Sequence, residues 1–123
     1  MDIKRTITQL TDELGEERVL TRTAIGADYC HDEYPGGSYA PDAVIEARTT
    51  EEVSRVLKVC CENGVFVTVR GAGTGQAGGS VAINGGIVLS VKGMNGILGF
   101  NAEDNTLSVQ AGALLQDVKS EAA

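Results

Sequence analysis

The sequence predicts an α/β (α+β) fold, a small mixed sheet with helices that contains one βαβ unit. Three observations predict it. A segment near the N-terminus has a helical period, a capped helix lies between two β-branched runs in residues 43–70, and short strand-like runs separated by turn residues follow. The chain has 123 residues, which is enough for one small domain and too few for two.

The first forty residues are predicted to form a helix and a connector. The apolar residues of the helix recur at spacings of four, three and four: Ile3, Ile7, Leu10 and Leu14. Gly15 ends this pattern. Residues 15–41 contain Gly, Pro, Asp and Tyr without a clear period, which is typical of an extended connector. We therefore divide the chain into residues 1–40, a helix and connector, and residues 41–123.

The predicted βαβ unit consists of the strand Val44–Arg48, a helix and the strand Val65–Val69. Thr49 and Glu52 have the spacing of a capping box, in which the hydroxyl and the carboxylate each accept a free backbone N–H. Asn63-Gly64 ends the helix, because glycine adopts the left-handed conformation at little cost. The apolar face of the helix is predicted to comprise Val53, Val56, Leu57 and Cys60. The crossover should be right-handed, with parallel strands.

Three further strands and a helix complete the prediction. The strands are Gly86–Val91, Ile97–Phe100 and Thr106–Ala111, and the last is followed by Gly112 and a helix over residues 113–123. The apolar face of this helix has nothing after it in the sequence to cover it: Ala113, Leu114, Leu115 and Val118. We therefore expect the chain to be cut inside a domain and to self-associate through its uncovered apolar faces.

Composition excludes several classes of protein. The net charge of −7 disfavours a nucleic-acid partner. No apolar run is long enough to span a bilayer and the N-terminus lacks a signal peptide, so a cytoplasmic location is the expectation. Cys30, Cys60 and Cys61 have the spacing of neither a disulfide framework nor a zinc site. Cys60 and Cys61 fall on a helix, where one should be in the core and the other beside it.

A glycine-rich segment follows the second strand of the βαβ unit. Residues 71–80 contain five of the sixteen glycines in the chain. Each glycine costs backbone entropy on folding, so such a segment is typical of a loop whose amides closely approach a ligand. Consecutive inward amides form a concave nest for a diphosphate. The structural alternative is merely a tight connection between two strands.

Two known nucleotide motifs do not fit this segment. Gly73-x-Gly75-x-x-Gly78 matches the dinucleotide fingerprint as a string, but no helical period begins within it. The acidic residue expected about 20 positions later is also missing, since residues 89–98 contain no Asp or Glu. A Walker loop needs a lysine before Ser or Thr, and Gly78-Gly79-Ser80 has none.

Several stretches of residues 41–118 resemble one family in order and spacing. They are Pro41–Ile45, Thr50–Val53, Arg70–Gly75, Ala77–Gly79, Gly86–Leu89, Met94-Asn95, Ile97-Leu98 and Gly112. The chain is similar over these residues to the FAD-binding domain of the vanillyl-alcohol oxidase superfamily, the PCMH-type domain. It most resembles the glycolate oxidase and D-lactate dehydrogenase flavoproteins. The resemblance implies the first subdomain of that domain.

The resemblance also implies which residues bind the cofactor. They surround the FAD pyrophosphate in the family: Arg70, Gly71, Ala72, Gly73, Thr74, Gly75, Gly78, Gly79 and Ser80. For Arg70 the alternative is a surface charge at the end of a strand. The sequence departs from the family pattern at four positions: Phe66, Val69, Gly96 and Ala111. Because of these departures, the resemblance does not specify which substrate the protein takes.

The activity implied by the resemblance is oxidation of a 2-hydroxy acid, of the glycolate or D-lactate type, by hydride transfer to FAD. Two alternatives stay open: another flavoenzyme of the superfamily (a sugar-acid oxidase or a cell-wall precursor reductase), or a non-catalytic nucleotide-binding module.

The one histidine, His31, is predicted to lie in an exposed connector and to bind no metal. We expect no catalytic residue in this chain, since the resemblance places the substrate-binding and acid–base groups after Ala123.

Overall fold

A computed structural model of the chain describes residues 2–21, 25, 29, 41–71 and 85–122. The helices are α1 (Ile3–Leu14), α2 (Thr50–Glu62) and α3 (Leu115–Ala122). The strands are β1 (Val19–Thr21), β2 (Ala43–Glu46), β3 (Val67–Arg70), β4 (Ile87–Ser90), β5 (Ile97–Asn101) and β6 (Thr106–Val109). The predicted α/β class with a small mixed sheet is confirmed.

The main sheet has four strands in the order β1-β2-β4-β3. β4 pairs in parallel with β2 on one side and with β3 on the other, whereas β1 runs antiparallel to β2. The predicted βαβ unit therefore has parallel strands, with the later strand β4 inserted between them. β5 and β6 form a separate antiparallel hairpin with an irregular register between Ile97 and Gly99.

The main core lies between one face of this sheet and the helices α1 and α2. Its buried side chains include Ile45 of β2, Leu89 of β4, Leu10 of α1 and Val56 of α2. Residues on β2 and β4 alternate between the two faces, as strand geometry requires. Val44 and Val88 therefore face the other way, where they pack with Leu20, Ile25 and Tyr29.

Both helices on this face begin with a side-chain cap. The Asp2 carboxylate accepts from the Arg5 N–H at the start of α1, and the Thr49 hydroxyl accepts from the Glu52 N–H at the start of α2. The predicted N-cap at Thr49 is confirmed. The Glu52 carboxylate, however, accepts from the Arg48 N–H at 2.8 Å and also binds Arg18 at 2.7 Å. It thereby ties the short 3-10 turn before β1 to the start of α2.

Two sequence predictions are wrong in this region. Leu57 is 44% exposed, and Val59 takes its place in the core. Both lie on a helix, and only the position of the sheet decides which of them is covered. Within the predicted connector, Val19–Thr21 forms β1, because three residues are too few to show a period and their pairing with β2 determines the strand. Cys60 is buried and Cys61 exposed, as predicted.

A close backbone approach aligns the amino ends of the parallel strands. Asp42 N–H donates to the Gly86 carbonyl at 2.9 Å, and Gly86 N–H donates to the Asp42 carboxylate at 2.7 Å. Gly86 has a φ of +84°, and a Cβ there would lie 2.4 Å from the Phe66 carbonyl oxygen. Both the conformation and the space therefore require glycine at this position.

We expect Gly86→Ala to lower the free energy of unfolding by about 2 kcal/mol or more, since the left-handed conformation and the contact with Phe66 both oppose a side chain. Gly99→Ala is the matched control, because a Cβ at Gly99 meets nothing within 4 Å. Urea unfolding of the two variants measures the difference. Equal midpoints would contradict the close approach.

We expect Glu52→Gln to lower the free energy of unfolding by about 1–2 kcal/mol at pH 7, because it removes a hydrogen-bonded charge. Burial raises the pKa of Glu52, but the hydrogen bonds from Arg48, Arg18 and Thr49 and the charge of Arg18 outweigh it and hold the pKa below 4.5. The stabilisation is therefore present above the unfolded pKa and lost as the pH falls through the folded pKa.

The stabilities of Glu52→Gln and the unchanged chain, measured by denaturant titration at a series of pH values, should accordingly converge as the pH falls from 7 through the folded pKa of Glu52. Glu51→Gln is the control, as its carboxylate lies exposed in the same first turn of α2. A gap in stability that does not narrow over this fall in pH would show that the effect of Glu52 is not electrostatic.

Candidate functional site

The parallel strands β2, β4 and β3 end side by side at their carboxyl ends. Glu46 and Arg70 are both in register with Ser90 of the central strand. The three residues therefore form one row across the sheet, on the face of Val44 and Val88. This face lies opposite the helices α1 and α2.

Two polar side chains of this row are buried. Arg70 is 5% exposed and Ser90 is 2% exposed. The sequence alternative that Arg70 is a surface charge is therefore wrong. Burying a charge is costly unless other groups stabilise it. The burial of Arg70 therefore indicates that neighbouring groups stabilise its charge.

An aromatic ring lies beside this row. The guanidinium carbon of Arg70 is 5.6 Å from the centroid of the Tyr29 ring, and the ammonium nitrogen of Lys92 is 5.9 Å from the same centroid. Cations within about 6 Å of an aromatic face are attracted by its quadrupole. Lys92 lies in the turn that follows β4, two residues after Ser90.

A depression opens at the same edge, with a volume of about 310 Å³. It is lined by Glu46, Ala47, Arg48, Ser90, Lys92, Gly93 and Asn95. Among the described residues of this edge, the cations Arg48, Arg70 and Lys92 outnumber the one carboxylate, Glu46. The described part of this edge is thus cationic, although the chain carries a net charge of −7.

The glycine-rich segment begins at this edge. Gly71 directly follows Arg70, and a Cβ at Gly71 meets nothing within 4 Å among the described residues. Gly85 stands at the opposite edge of the sheet, just before β4. Residues 72–84 therefore connect the carboxyl end of β3 to the amino end of the neighbouring parallel strand.

Of the predicted site residues, the structure describes Arg70 and Gly71 and brings them to the row at the carboxyl edge. The others lie outside the described residues: Ala72, Gly73, Thr74, Gly75, Gly78, Gly79 and Ser80. His31 and Cys30 also lie outside them.

Sequence reasoning missed three residues of this edge, Ser90, Lys92 and Tyr29. One signal was available. Ser90 and Lys92 are polar residues at and just after the carboxyl end of an otherwise apolar strand, which is where ligands bind in open α/β sheets. No sequence signal could have connected Tyr29 to them, because it lies more than forty residues before Arg70 in the chain.

Of the described cysteines, Cys60 adds no chemistry to this edge. Burial raises the pKa of the Cys60 thiol to about 11, so it stays protonated at neutral pH and is a poor nucleophile. Cys60 packs in the core on the helical face of the sheet.

In the part of the chain that the structure describes, no group of three His, Cys, Asp or Glu residues could hold a metal ion. Nor is any helix there long and apolar enough to cross a membrane.

The donors at this edge suit an anionic ligand. Guanidinium and ammonium groups, a buried hydroxyl and glycine amides all donate hydrogen bonds that phosphate oxygens accept. The carboxyl ends of parallel strands are where ligands bind in open α/β sheets. The geometry therefore fits a phosphate-bearing cofactor.

Comparisons with known proteins show the family of the chain. The model of a family described as "FAD binding domain" matches residues 41–123. The chain is 42% identical over 111 residues to D-lactate dehydrogenase of Anaerostipes hadrus, an alignment that covers 89% of the chain and 23% of the relative. It is 38% identical to the glycolate oxidase subunit GlcD of Bacillus subtilis (strain 168), over 95% of the chain and 24% of the relative.

A solved structure of p-cresol methylhydroxylase with substrate bound shares the fold. Its TM-score is 0.80 at 23% sequence identity, over 95% of this chain and 24% of that one. The chain thus spans about a quarter of the length of the curated relatives described above. The predicted resemblance to the glycolate oxidase and D-lactate dehydrogenase flavoproteins is confirmed, and the cofactor is FAD. Since the family model matches well over half of the sequence, the chain belongs to the family of FAD binding domains.

Proposed function

We propose that the FAD diphosphate is held where β3 leaves the sheet. The residues we assign to it are Arg70, Gly71, Ala72, Gly73, Thr74, Gly75, Gly78, Gly79 and Ser80. The observation that carries this proposal is the burial of Arg70 at 5% exposure, in register with Ser90 and directly before the glycine-rich segment.

The residues present fit the cofactor by the chemistry of their donors. A diphosphate carries negative charge, and Arg70 and Lys92 place positive charge on one face of this edge. Among the described residues, nothing lies within 4 Å of a Cβ at Gly71, which fits a backbone that a ligand approaches. We infer that amides of the glycine-rich segment donate to the diphosphate, and that the hydroxyls of Thr74 and Ser80 add hydrogen bonds.

FAD, when bound, supplies the redox chemistry of the enzyme by accepting a hydride. The part of this chain is to bind and orient the cofactor. We assign none of its residues a catalytic role. In this proposal the acid–base groups belong to the remainder of the protein, in keeping with a chain that spans about a quarter of its relatives.

We infer that the whole protein is an FAD-dependent dehydrogenase or oxidase that oxidises a 2-hydroxy acid. The names of the two relatives support this substrate class, since D-lactate and glycolate are both 2-hydroxy acids. The alternative is another flavoenzyme of the same superfamily. Its support is that p-cresol methylhydroxylase, named for a phenol, shares the fold at a TM-score of 0.80. Fold alone does not determine substrate.

The division of the chain at residue 41 also stays a proposal. Residues 1–40 would be a helix and connector, and residues 41–123 the N-terminal portion of the FAD-binding domain. The first segment nevertheless contributes to the sheet, since β1 pairs with β2.

The cytoplasmic location stays a prediction, as does self-association through exposed apolar side chains such as Leu98, Phe100 and Leu115.

We expect Gly75→Val, in the protein expressed from its complete gene, to weaken FAD binding at least tenfold, about 1.4 kcal/mol. A branched side chain would stand where the backbone has to approach the diphosphate. Gly99→Val is the control, since a Cβ at Gly99 meets nothing within 4 Å. The flavin-to-protein absorbance ratio and a titration of the apoprotein measure the effect. A Gly75→Val protein with the flavin content of the control would place the diphosphate elsewhere.

We expect D-lactate or glycolate to bleach the flavin absorbance of the same protein under anaerobic conditions, because hydride transfer reduces FAD. L-Lactate serves as the stereochemical control and p-cresol as the control for the alternative class. Bleaching by p-cresol but by neither 2-hydroxy acid would contradict the proposed substrate class and leave the FAD site intact.

A further inference from the structure

One side of the main sheet ends in an open strand edge in the part of the chain that the structure describes. β3 is the last strand in the order β1-β2-β4-β3 and pairs there only with β4. The carbonyls of Phe66 and Arg70 accept hydrogen bonds at 2.9 Å from N–H groups in and just after β4. Because backbone groups alternate in direction along a strand, Val67 and Val69 direct their N–H and C=O groups away from the sheet.

The side chains beside this edge are apolar and exposed. Val69 is in register with Leu89 of the main core, so it lies on the face of the sheet that α2 covers, yet it is 52% exposed. Leu57 of α2 is 44% exposed, and Phe66, directly before β3, is 55% exposed. An open edge flanked by apolar side chains is a template on which another strand can pair.

The flank of α2 that carries Leu57 faces this edge and is uncharged. Arg55 binds Glu13 of α1, and α1 contacts β1 at the opposite side of the sheet. Leu57 lies two residues after Arg55, about 200° around the helix, and therefore points toward β3. Val53 and Cys61, one turn before and after Leu57 on the same flank, carry no charge at neutral pH. A second chain can approach this flank without meeting a charge.

Two copies of this edge are complementary to each other. When two β3 strands run antiparallel about a two-fold axis at Thr68, Val67 of one copy lies opposite Val69 of the other. Each such pair exchanges two hydrogen bonds, so every N–H and carbonyl that these valines direct outward has a partner. A contact in which one patch meets its own copy is the commonest arrangement in protein dimers.

Charge favours a second copy over a basic partner at this edge. The chain has a net charge of −7, so a basic partner would be drawn to its acidic surfaces. A second copy would be repelled by those surfaces, and it can approach most closely where the surface is apolar and uncharged.

We propose that β3 pairs with β3 of a second copy of this protein, antiparallel about Thr68, so that the two four-stranded sheets become one continuous sheet. The interface consists of β3 and the flank of α2 that carries Leu57. It is distinct from the exposed apolar side chains of the β5–β6 hairpin and of α3, and it goes beyond cofactor binding.

A disulfide across the two-fold axis tests this geometry directly. Thr68 would form a non-hydrogen-bonded antiparallel pair with its copy, in which Cα atoms lie about 4.5 Å apart, within the range that a disulfide spans. In the protein expressed from its complete gene, with Cys61→Ser to remove the exposed thiol, we expect Thr68→Cys to form a covalent dimer under oxidation by copper phenanthroline in air. Leu98→Cys, at an exposed position of the hairpin, is the matched control. A Thr68→Cys protein that cross-links no more than this control would overturn the proposal.

Proline at the edge tests the hydrogen bonds. Val69→Pro removes the outward N–H from each copy, so two hydrogen bonds across the interface are lost and the dimer should dissociate at least tenfold more readily. Val69→Ile keeps the N–H and the apolar surface, and should dimerise like the unchanged protein. Sedimentation over a range of concentrations measures the dissociation constant. Equal dissociation constants for the proline and isoleucine proteins, or an unchanged protein that stays monomeric throughout, would overturn the proposal.

The fold is checked separately by far-ultraviolet circular dichroism. The N–H of Val69 points away from β4, and proline is accepted on edge strands at such positions. If Val69→Pro nevertheless fails to fold, Val69→Lys takes its place, because a charge at an open edge also opposes strand pairing. A folded Val69→Lys protein with the dissociation constant of the unchanged dimer would likewise overturn the proposal.

Discussion

The parallel pairing of β4 with β2 on one side and β3 on the other is the interaction on which the rest of the structure depends. All four residues of β4 are buried, so the strand is covered on both faces as well as along both edges. Strands buried in this way have near-continuous apolar sequences, and Ile87–Leu89 fits that rule until Ser90. Because β4 follows β3 in sequence but lies between β2 and β3 in space, it brings Glu46 and Arg70 into one row.

Charged side chains are distributed unevenly over the chain, and three cations lie near this row. The chain is acidic overall, whereas Arg48, Arg70 and Lys92 cluster at the carboxyl edge of the sheet. Acidic side chains elsewhere are used for structure: Glu52 joins the turn before β1 to α2, and Asp42 joins the amino ends of β2 and β4. Acidic groups such as Glu52 and Asp42 thus help to hold the scaffold, and three basic groups lie where an anionic cofactor is proposed to bind.

The described glycines serve two different purposes. At Gly86 and Gly112 a Cβ would lie 2.4 Å from the Phe66 carbonyl oxygen and 1.8 Å from the Val91 carbonyl oxygen, so close backbone contacts require glycine. Gly112 thereby holds the end of the β5–β6 hairpin against the turn that follows β4, where its N–H donates to the Met94 carbonyl at 2.8 Å. At Gly71 no such contact exists among the described residues. Contacts among the described residues therefore do not explain the glycine at position 71. Close approach of a ligand to its backbone would explain it.

The sequence by itself determined the fold class, α1, the N-cap of α2, its end at Asn63-Gly64, and the strands of the βαβ unit to within two residues. These features depend on short-range periodicity and capping, which neighbouring residues specify. It also indicated FAD through the order and spacing of glycine stretches, and it selected Arg70 and Gly71. Only the tertiary structure decided that β4 lies between β2 and β3, that Val19–Thr21 is a strand, and that Val59 rather than Leu57 is covered. It alone showed Arg70 to be buried and brought Tyr29, Ser90 and Lys92 to the same edge. The reason is physical: pairing between distant strands, and the side of a helix that a sheet covers, are set by contacts between residues far apart in the chain, for which a local pattern carries no signal.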